Sequence, residues 1–257
     1  MNKQINIKET LDWYVWAGVT ETCADKSDLI LRTEVSQPSS SLICPVQKTF
    51  TAQTVNTLAL KNARNLCQSS NSIDDLKNIL ANFEGCSLKN TAKNTVLGDG
   101  ALDAKIMLIG EAPGADEDRI GKPFVGRCGK LLDKMLQAIE INRSDCYITN
   151  VLPWRPPGNR TPTDEEIAVC LPFLKRQIEL IQPDILLLLG GIALKSLIDN
   201  EESISRARGK WLEYEVNEKQ KILAIATYHP SYLLRSSAQK AKVWADLLRL
   251  KRKIQEI

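Results

Sequence analysis

His229 is the sole imidazole in a chain of 257 residues, and it sits just past the apolar run Ile222 to Thr227 and directly before Pro230. The end of a strand is where open α/β sheets place their ligands, and an imidazole there can donate a hydrogen bond or move a proton near neutral pH. The same ring can equally serve as a structural brace. A second group of reactive side chains lies in Gly110 to Asp118, where Glu111, Asp116, Glu117 and Asp118 follow another apolar run. Carboxylates gathered in this way suit metal binding or general acid–base work, although the last three also suit the first turn of a helix. A single histidine cannot build a tri-histidine or Glu-x-x-His metal site, which favours a metal-independent task. Phe124 stands between glycines in Gly121 to Arg127, where an aromatic makes a stacking platform or a core anchor. Asn150 ends a third apolar run. Its amide offers one acceptor and two donors to a ring edge, or it simply turns the chain. Behind it, Arg155, Pro156, Pro157, Gly158, Asn159 and Arg160 form a stiff loop with two guanidinium groups.

The elements that must carry these loops read as a parallel α/β arrangement from Ala104 onward. Strands are expected at Lys105 to Gly110, Cys146 to Leu152, Ile185 to Gly190 and Ile222 to Thr227, with helices at about 126–141, 163–182, 191–199 and 237–254. Arg206 to Glu215 suggests an extra strand before the last. Ahead of this unit, Thr51 to Asn82 carries two helical patterns, the second opening at Ser72 with Asp74 and Asp75 in its first turn. Leu11, Trp13, Tyr14, Val15, Trp16 and Val19 fit a short amphipathic helix. The polar Ser/Gln/Pro text from Glu34 to Thr54 reads as a linker. The expected organisation is a short N-terminal helix and tail over 1–33, a flexible linker over 34–54, and one domain over 55–257 with its core in 86–257.

The bulk composition excludes some classes. No apolar run approaches the roughly 18 residues that span a bilayer, and the polar start Asn2, Lys3, Gln4 lacks a secretory pattern, so a cytoplasmic protein is expected. Seven cysteines without a Cys-x-x-Cys pair read as mostly free thiols. The net charge of +3 is too small by itself to indicate a polyanionic partner. From Arg235 to Lys253, however, basic residues outnumber the single acid, Asp246, which predicts a positive stripe on the last helix.

Taken together, three segments resemble the family 4 uracil-DNA glycosylases of the uracil-DNA glycosylase superfamily. They are Gly110 through Phe124 to Leu132, Asn150 to Arg160 with Pro162 and Glu165-Glu166, and His229 to Arg235. The likeness runs from about Cys86 to Leu250 and leaves Glu9 to Asn82 outside. It implies a three-layer α/β/α fold with a central parallel four-stranded sheet, here preceded by an N-terminal helical extension. It also implies hydrolysis of the uracil N-glycosidic bond in DNA during base excision repair, with the nucleotide flipped into a pocket.

On that resemblance, Phe124 stacks on uracil and Asn150 reads the edge that differs from cytosine. Gly110, Ala112 and Gly114 complete the base-binding loop. His229 stabilises the departing anion. Ala112 occupies the position where the best-known uracil glycosylases keep an aspartate, so Glu111 or Glu117 must assist the water, and Glu117 is favoured. Leu234 is the expected wedge. Arg127, Arg155, Arg160, Ser231, Arg235 and the basic terminal helix are expected on phosphates. The family's iron–sulfur cluster needs four ligands. Cys86 and Cys170 hold two of those positions and Phe83 and Trp154 the others, so the cluster is expected to be lost and no cofactor is expected. The partner is uracil-containing DNA, the chain is expected to be a monomer, and the N-terminal helix has room for an unidentified protein partner. Two alternatives are a catalytically silent DNA-binding relative and a relative that traps uracil-DNA covalently. The first is disfavoured by Phe124, Asn150 and His229. The second carries an added basic loop with a histidine near the first loop, and no such histidine is present.

Overall fold

The computed structural model describes residues 57–198, 202–217 and 220–256. The expected helix near residues 9–19, the 34–54 linker and the 1–33 tail lie outside these residues. Two helices open the described chain, α1 (Thr57–Ser69) and α2 (Ile73–Asn82). Ser72 caps α2 by accepting the Asp75 N–H, with Asp74 and Asp75 in the first turn, where acidic groups oppose the positive end of the helix dipole.

The sheet then assembles from β1 (Gly98–Gly100), β2 (Ile106–Gly110), β3 (Cys146–Asn150), β4 (Ile185–Leu189), β5 (Trp211–Asn217) and β6 (Gln220–Thr227), in the spatial order β1-β3-β2-β4-β6-β5. The four inner strands are mutually parallel, and each edge strand runs antiparallel to its neighbour. The parallel four-stranded centre is as expected, but the complete sheet has six strands. β1, with the sequence Gly-Asp-Gly, has no apolar alternation to announce it. The extra strand spans Trp211–Asn217 because Ile204–Ala207 forms a helical turn instead.

Helices α3 (Ala115–Ile120), α4 (Arg127–Ala138), α5 (Asp164–Ile181), α6 (Gly191–Leu197), α7 (Ile204–Ala207), α8 (Pro230–Arg235) and α9 (Lys240–Ile254) follow the strands. β2, β3 and β4 are buried along their whole length, as strands covered on both faces must be. Their side chains alternate between two cores. Met107, Ile109, Tyr147, Leu186 and Leu188 pack with residues of α1, α2, α5 and α6. Ile106, Leu108, Ile148, Leu187 and Leu189 pack with those of α4, α8 and α9. This produces the three layers.

From β2 the chain first moves outward to β3 and then crosses back to β4 on the other side of β2. A crevice opens at the carboxyl ends where such a sheet reverses direction. α9 pins the outer wall of that end. Its Asp246 is 1% exposed and accepts from Thr227 Oγ1 at 2.7 Å and from Arg208 Nη2 at 2.7 Å, while Arg249 donates to the Gly209 carbonyl at 2.7 Å. Thr227 is the last residue of β6, so this network fixes the point from which the His229 loop departs. Asp246→Ala removes the acceptor of the buried Thr227 hydroxyl and the ion-pair partner of the part-buried Arg208 guanidinium. It is expected to cost about 3 kcal/mol of unfolding free energy, which denaturant titration of the two proteins would measure.

Candidate active site

Four loops converge at the carboxyl ends of β2, β3, β4 and β6 around a cleft of about 850 Å³. Gly110 ends β2 and lets the others approach, because a Cβ there would lie 2.4 Å from Asn150 Oδ1 and 2.6 Å from Phe124 Cζ. The first loop is tied to the second by Val151 N–H to the Gly110 carbonyl at 3.0 Å and Leu152 N–H to the Glu111 carbonyl at 3.1 Å.

The acidic cluster divides by task. Asp118 is buried and accepts the Lys93 and Asn94 N–H groups. Asp116 is exposed and pairs with Arg119. Glu117 accepts the Val125 and Gly126 N–H groups on Oε1, both at 2.9 Å, and the Gly114 N–H on Oε2 at 3.1 Å. A Cβ at Gly114 would press on that oxygen at 2.6 Å. Glu111 lines the cleft, half-buried, and its carboxylate has no hydrogen-bond partner among the described residues. Burial raises its pKa above the ordinary carboxylate value.

Phe124 is buried with its backbone at φ +52°, and its ring centroid stands 5.6 Å from that of His229. Asn150 is 4% exposed, and its Oδ1 finds no partner, an expensive arrangement unless something else completes it. His229 caps α8. Its Nδ1 accepts the Ser231 N–H at 3.1 Å and lies 2.8 Å from Ser231 Oγ, which places the ring proton on Nε2. Burial, and then the charge of Arg235, push its pKa down to about 4, so the ring is neutral at pH 7.

The cleft therefore brings together Glu111, Ala112, Gly114, Glu117, Phe124, Asn150, His229, Ser231, Arg127, Arg160 and Arg235. Ser231, expected on a phosphate, is spent on the histidine. Arg160 holds Glu166 through two contacts of 2.6 and 2.9 Å, and Arg155 donates to Asn159 and does not line the cleft. Leu234 projects from α8 at 43% exposure. The positive stripe is interrupted: Lys240 and Asp246 are buried, Arg249 holds Gly209, and Lys251 and Lys253 pair with Glu140 and Glu256. Gly190 and Gly191, Cys128 and Tyr228 also line the cleft. The double glycine after an apolar run was the available signal for the fourth loop.

Beneath the second loop, Cys86 and Cys170 are buried with their sulfurs 3.9 Å apart. Phe83 and Trp154, each 1% exposed, stack at 6.5 Å beside them. Phe83 also meets Phe173 edge-on at 5.0 Å, and Trp154 Nε1 donates to Thr95 Oγ1 at 3.0 Å. Two thiols and two aromatic rings do not offer four metal ligands. Among the described residues no three His, Cys, Asp or Glu side chains are grouped to hold a metal ion, and no helix is long and apolar enough to cross a membrane.

The carboxyl end of an open α/β sheet thus brings an aromatic ring, an unpaired amide oxygen and a neutral imidazole into one crevice. Residues 97–248 match the family model of the uracil DNA glycosylase superfamily, and the chain belongs to that superfamily. The type-4 uracil-DNA glycosylase of Thermotoga maritima is 45% identical over 158 residues, 61% of this chain and 80% of that protein. The type-4 enzyme of Archaeoglobus fulgidus is 46% identical over 167 residues, 63% and 83% of the two chains. A type-5 uracil-DNA glycosylase of Pyrobaculum aerophilum shares 28% over 149 residues, 52% and 64% of the two chains. Within the superfamily the chain is thus of the type-4 family.

The depressed pKa of His229 has a consequence for stability. Between about pH 4 and pH 6.5 the unfolded chain binds a proton at this ring and the folded chain does not. The contribution of His229 to stability is therefore complete above pH 6.5 and is lost as pH falls toward 4. Melting temperatures at pH 7 and pH 5 are expected to differ less in His229→Gln than in the parent protein.

Proposed function

We propose that this chain is a monofunctional uracil-DNA glycosylase that flips uracil from DNA and hydrolyses its N-glycosidic bond, leaving an abasic site. The observation that carries this reading is the buried, unpartnered Asn150 Oδ1 beside the Phe124 ring and the Nε2-protonated His229. Uracil supplies what Asn150 lacks: its N3–H donates to Oδ1, and its O4 accepts from the amide nitrogen. Cytosine presents the opposite pattern. Phe124 stacks on the ring, with Gly110, Ala112 and Gly114 leaving room for it.

As the C1′–N1 bond breaks, its electron pair moves onto uracil, and His229 donates a hydrogen bond from Nε2 toward O2. A neutral donor stabilises that anion without having to lose its own proton, and it acts in a cleft that is pre-shaped for the charge. The water that adds to C1′ needs a carboxylate nearby, both to orient it and to face the cationic sugar. Glu111 suits this task better than the sequence-favoured Glu117. Its carboxylate is unpartnered, whereas both oxygens of Glu117 already serve backbone N–H groups. Arg127 and Arg235 line the cleft without an ion pair among the described residues and are the phosphate contacts best supported. Leu234 fills the vacated stack. Arg155, Arg160 and Ser231 act behind them by shaping the loops.

The catalytic unit is residues 55–257 with its core in 86–257, working as a cytoplasmic monomer, and residues 1–54 serve contacts other than the base. The chain works without an iron–sulfur cluster. The support is the packing of Phe83 and Trp154 into the corner where two of the four thiolates would be required.

Two measurements test this. His229→Ala is expected to lower the single-turnover excision rate by about 10²-fold or more with DNA affinity little changed, and Asn150→Asp to depress uracil excision and begin to admit cytosine. A folded His229→Ala that excised uracil at the parent rate would overturn the mechanism. Anaerobically purified protein is expected to be colourless, without broad absorbance near about 400 nm, and stoichiometric iron and sulfide would refute the loss of the cluster.

A further inference from the structure

Phe124 holds a left-handed backbone, φ +52°, which a bulky residue keeps only when its surroundings over-determine it. Two side chains grip the peptide units around it through four hydrogen bonds. Glu117 Oε1 accepts the N–H groups of Val125 and Gly126. From the opposite side, Arg143 Nη2 donates to the Pro123 carbonyl at 2.7 Å and Nη1 to the Phe124 carbonyl at 2.9 Å. Gly129 permits the approach, since a Cβ there would lie 1.8 Å from the Phe124 oxygen. Arg143 is itself aimed by Asp133 at 2.9 Å, on α4. It belongs to the short turn Arg143–Asp145 that leads directly into β3 and hence to Asn150. The planar fork of a guanidinium can bridge two successive carbonyls in one geometry, which an ammonium cannot do.

We propose that Arg143 is a positioning residue for uracil excision: it fixes the Phe124 ring as a preformed stacking platform, and does so from the turn that also sets Asn150. The inference rests on the reading of Phe124 as the base-stacking residue. Arg143 lies outside the residues that line the cleft, so it acts through Phe124 and touches no base. Without it, the loop relaxes toward ordinary backbone geometry and the ring must be ordered anew each time a base enters. Geometry fixed beforehand lowers that cost.

The test is a double-mutant cycle on uracil excision from a uracil-containing oligonucleotide, combining Arg143→Met with Phe124→Ala, with inhibition by free uracil as a second readout. Arg143→Met alone is expected to lower kcat/KM by about tenfold or more and to weaken inhibition by free uracil in parallel, with affinity for abasic product DNA unchanged. In the Phe124→Ala background the same substitution is expected to change kcat/KM by less than about threefold. An equal loss in both backgrounds, or no loss in either, overturns the proposal, because Arg143 would then act independently of the ring. A fully active Phe124→Ala protein identifies a different failure, that of the stacking reading itself, and the proposal falls with it. If Arg143→Met does not fold, Arg143→Lys retains the pairing with Asp133 but not the two-carbonyl fork. It is expected to show a partial loss that again disappears when Phe124 is absent, and full activity of Arg143→Lys overturns the proposal.

Discussion

The carboxylate of Glu117 is the joint on which the cleft depends. Three backbone N–H groups, from Gly114 at the start of α3 and from Val125 and Gly126 ahead of α4, converge on its two oxygens. A loop that turns back on itself to present a side chain leaves its own amides without strand or helix partners, and buried amides must be paired somewhere. One ionised side chain answers several of them at once, with charge-assisted bonds stronger than neutral ones. The cost falls on the small residues. Gly114 tolerates the nearby oxygen, and Gly126 sits 3.0 Å from an Asp116 oxygen by the measure of an added Cβ.

Once the loop is held, the electrostatics of the cleft follow from burial. His229 is kept neutral by its surroundings and by the charge of Arg235, and the Ser231 N–H settles which ring nitrogen carries the proton. The Arg235 guanidinium, which lines the cleft, also discourages a charge on the imidazole. Glu111 is moved in the other direction by burial alone. Burial therefore shifts two titratable groups of one crevice in opposite directions, the imidazole down and the carboxyl up, each toward its neutral form. That leaves a neutral donor on one side and a poised carboxylate on the other.

Much of this was legible in the sequence, and the boundary is physical. Strands β2, β3, β4 and β6 announce themselves because parallel strands covered on both faces must be continuous apolar runs. β1 does not, since Gly-Asp-Gly pairs with β3 through backbone groups alone. Asn150 and His229 were visible as polar residues at or just past strand ends, and Phe124 as an aromatic set between glycines in a loop. The division of labour among Glu111, Glu117 and Asp118 was not, because it is decided by which backbone N–H groups lie within 3 Å, and those belong to segments up to 25 residues away. The same limit applies to Lys240 and Asp246. A count of charges along α9 shows a stripe, whereas the helix turns Asp246 inward to Thr227 and Arg208.

The corner beneath the second loop is held by side-chain packing. A cluster would tether the 83–86 segment, the second loop and α5 through covalent bonds to one centre. Here the same three segments are joined by contacts. Phe83 and Trp154 stack, Phe173 meets Phe83 edge-on, Cys86 and Cys170 lie side by side, and Trp154 reaches Thr95. Gly85 is part of this arrangement, for a Cβ there would strike the Phe83 ring at 2.3 Å. Aromatic pairs add roughly 0.5–1.5 kcal/mol each beyond the apolar area they bury, so these contacts hold the three segments together. The second loop begins at Asn150, four residues before Trp154. The aromatic corner therefore anchors the loop whose first residue is the unpartnered Asn150.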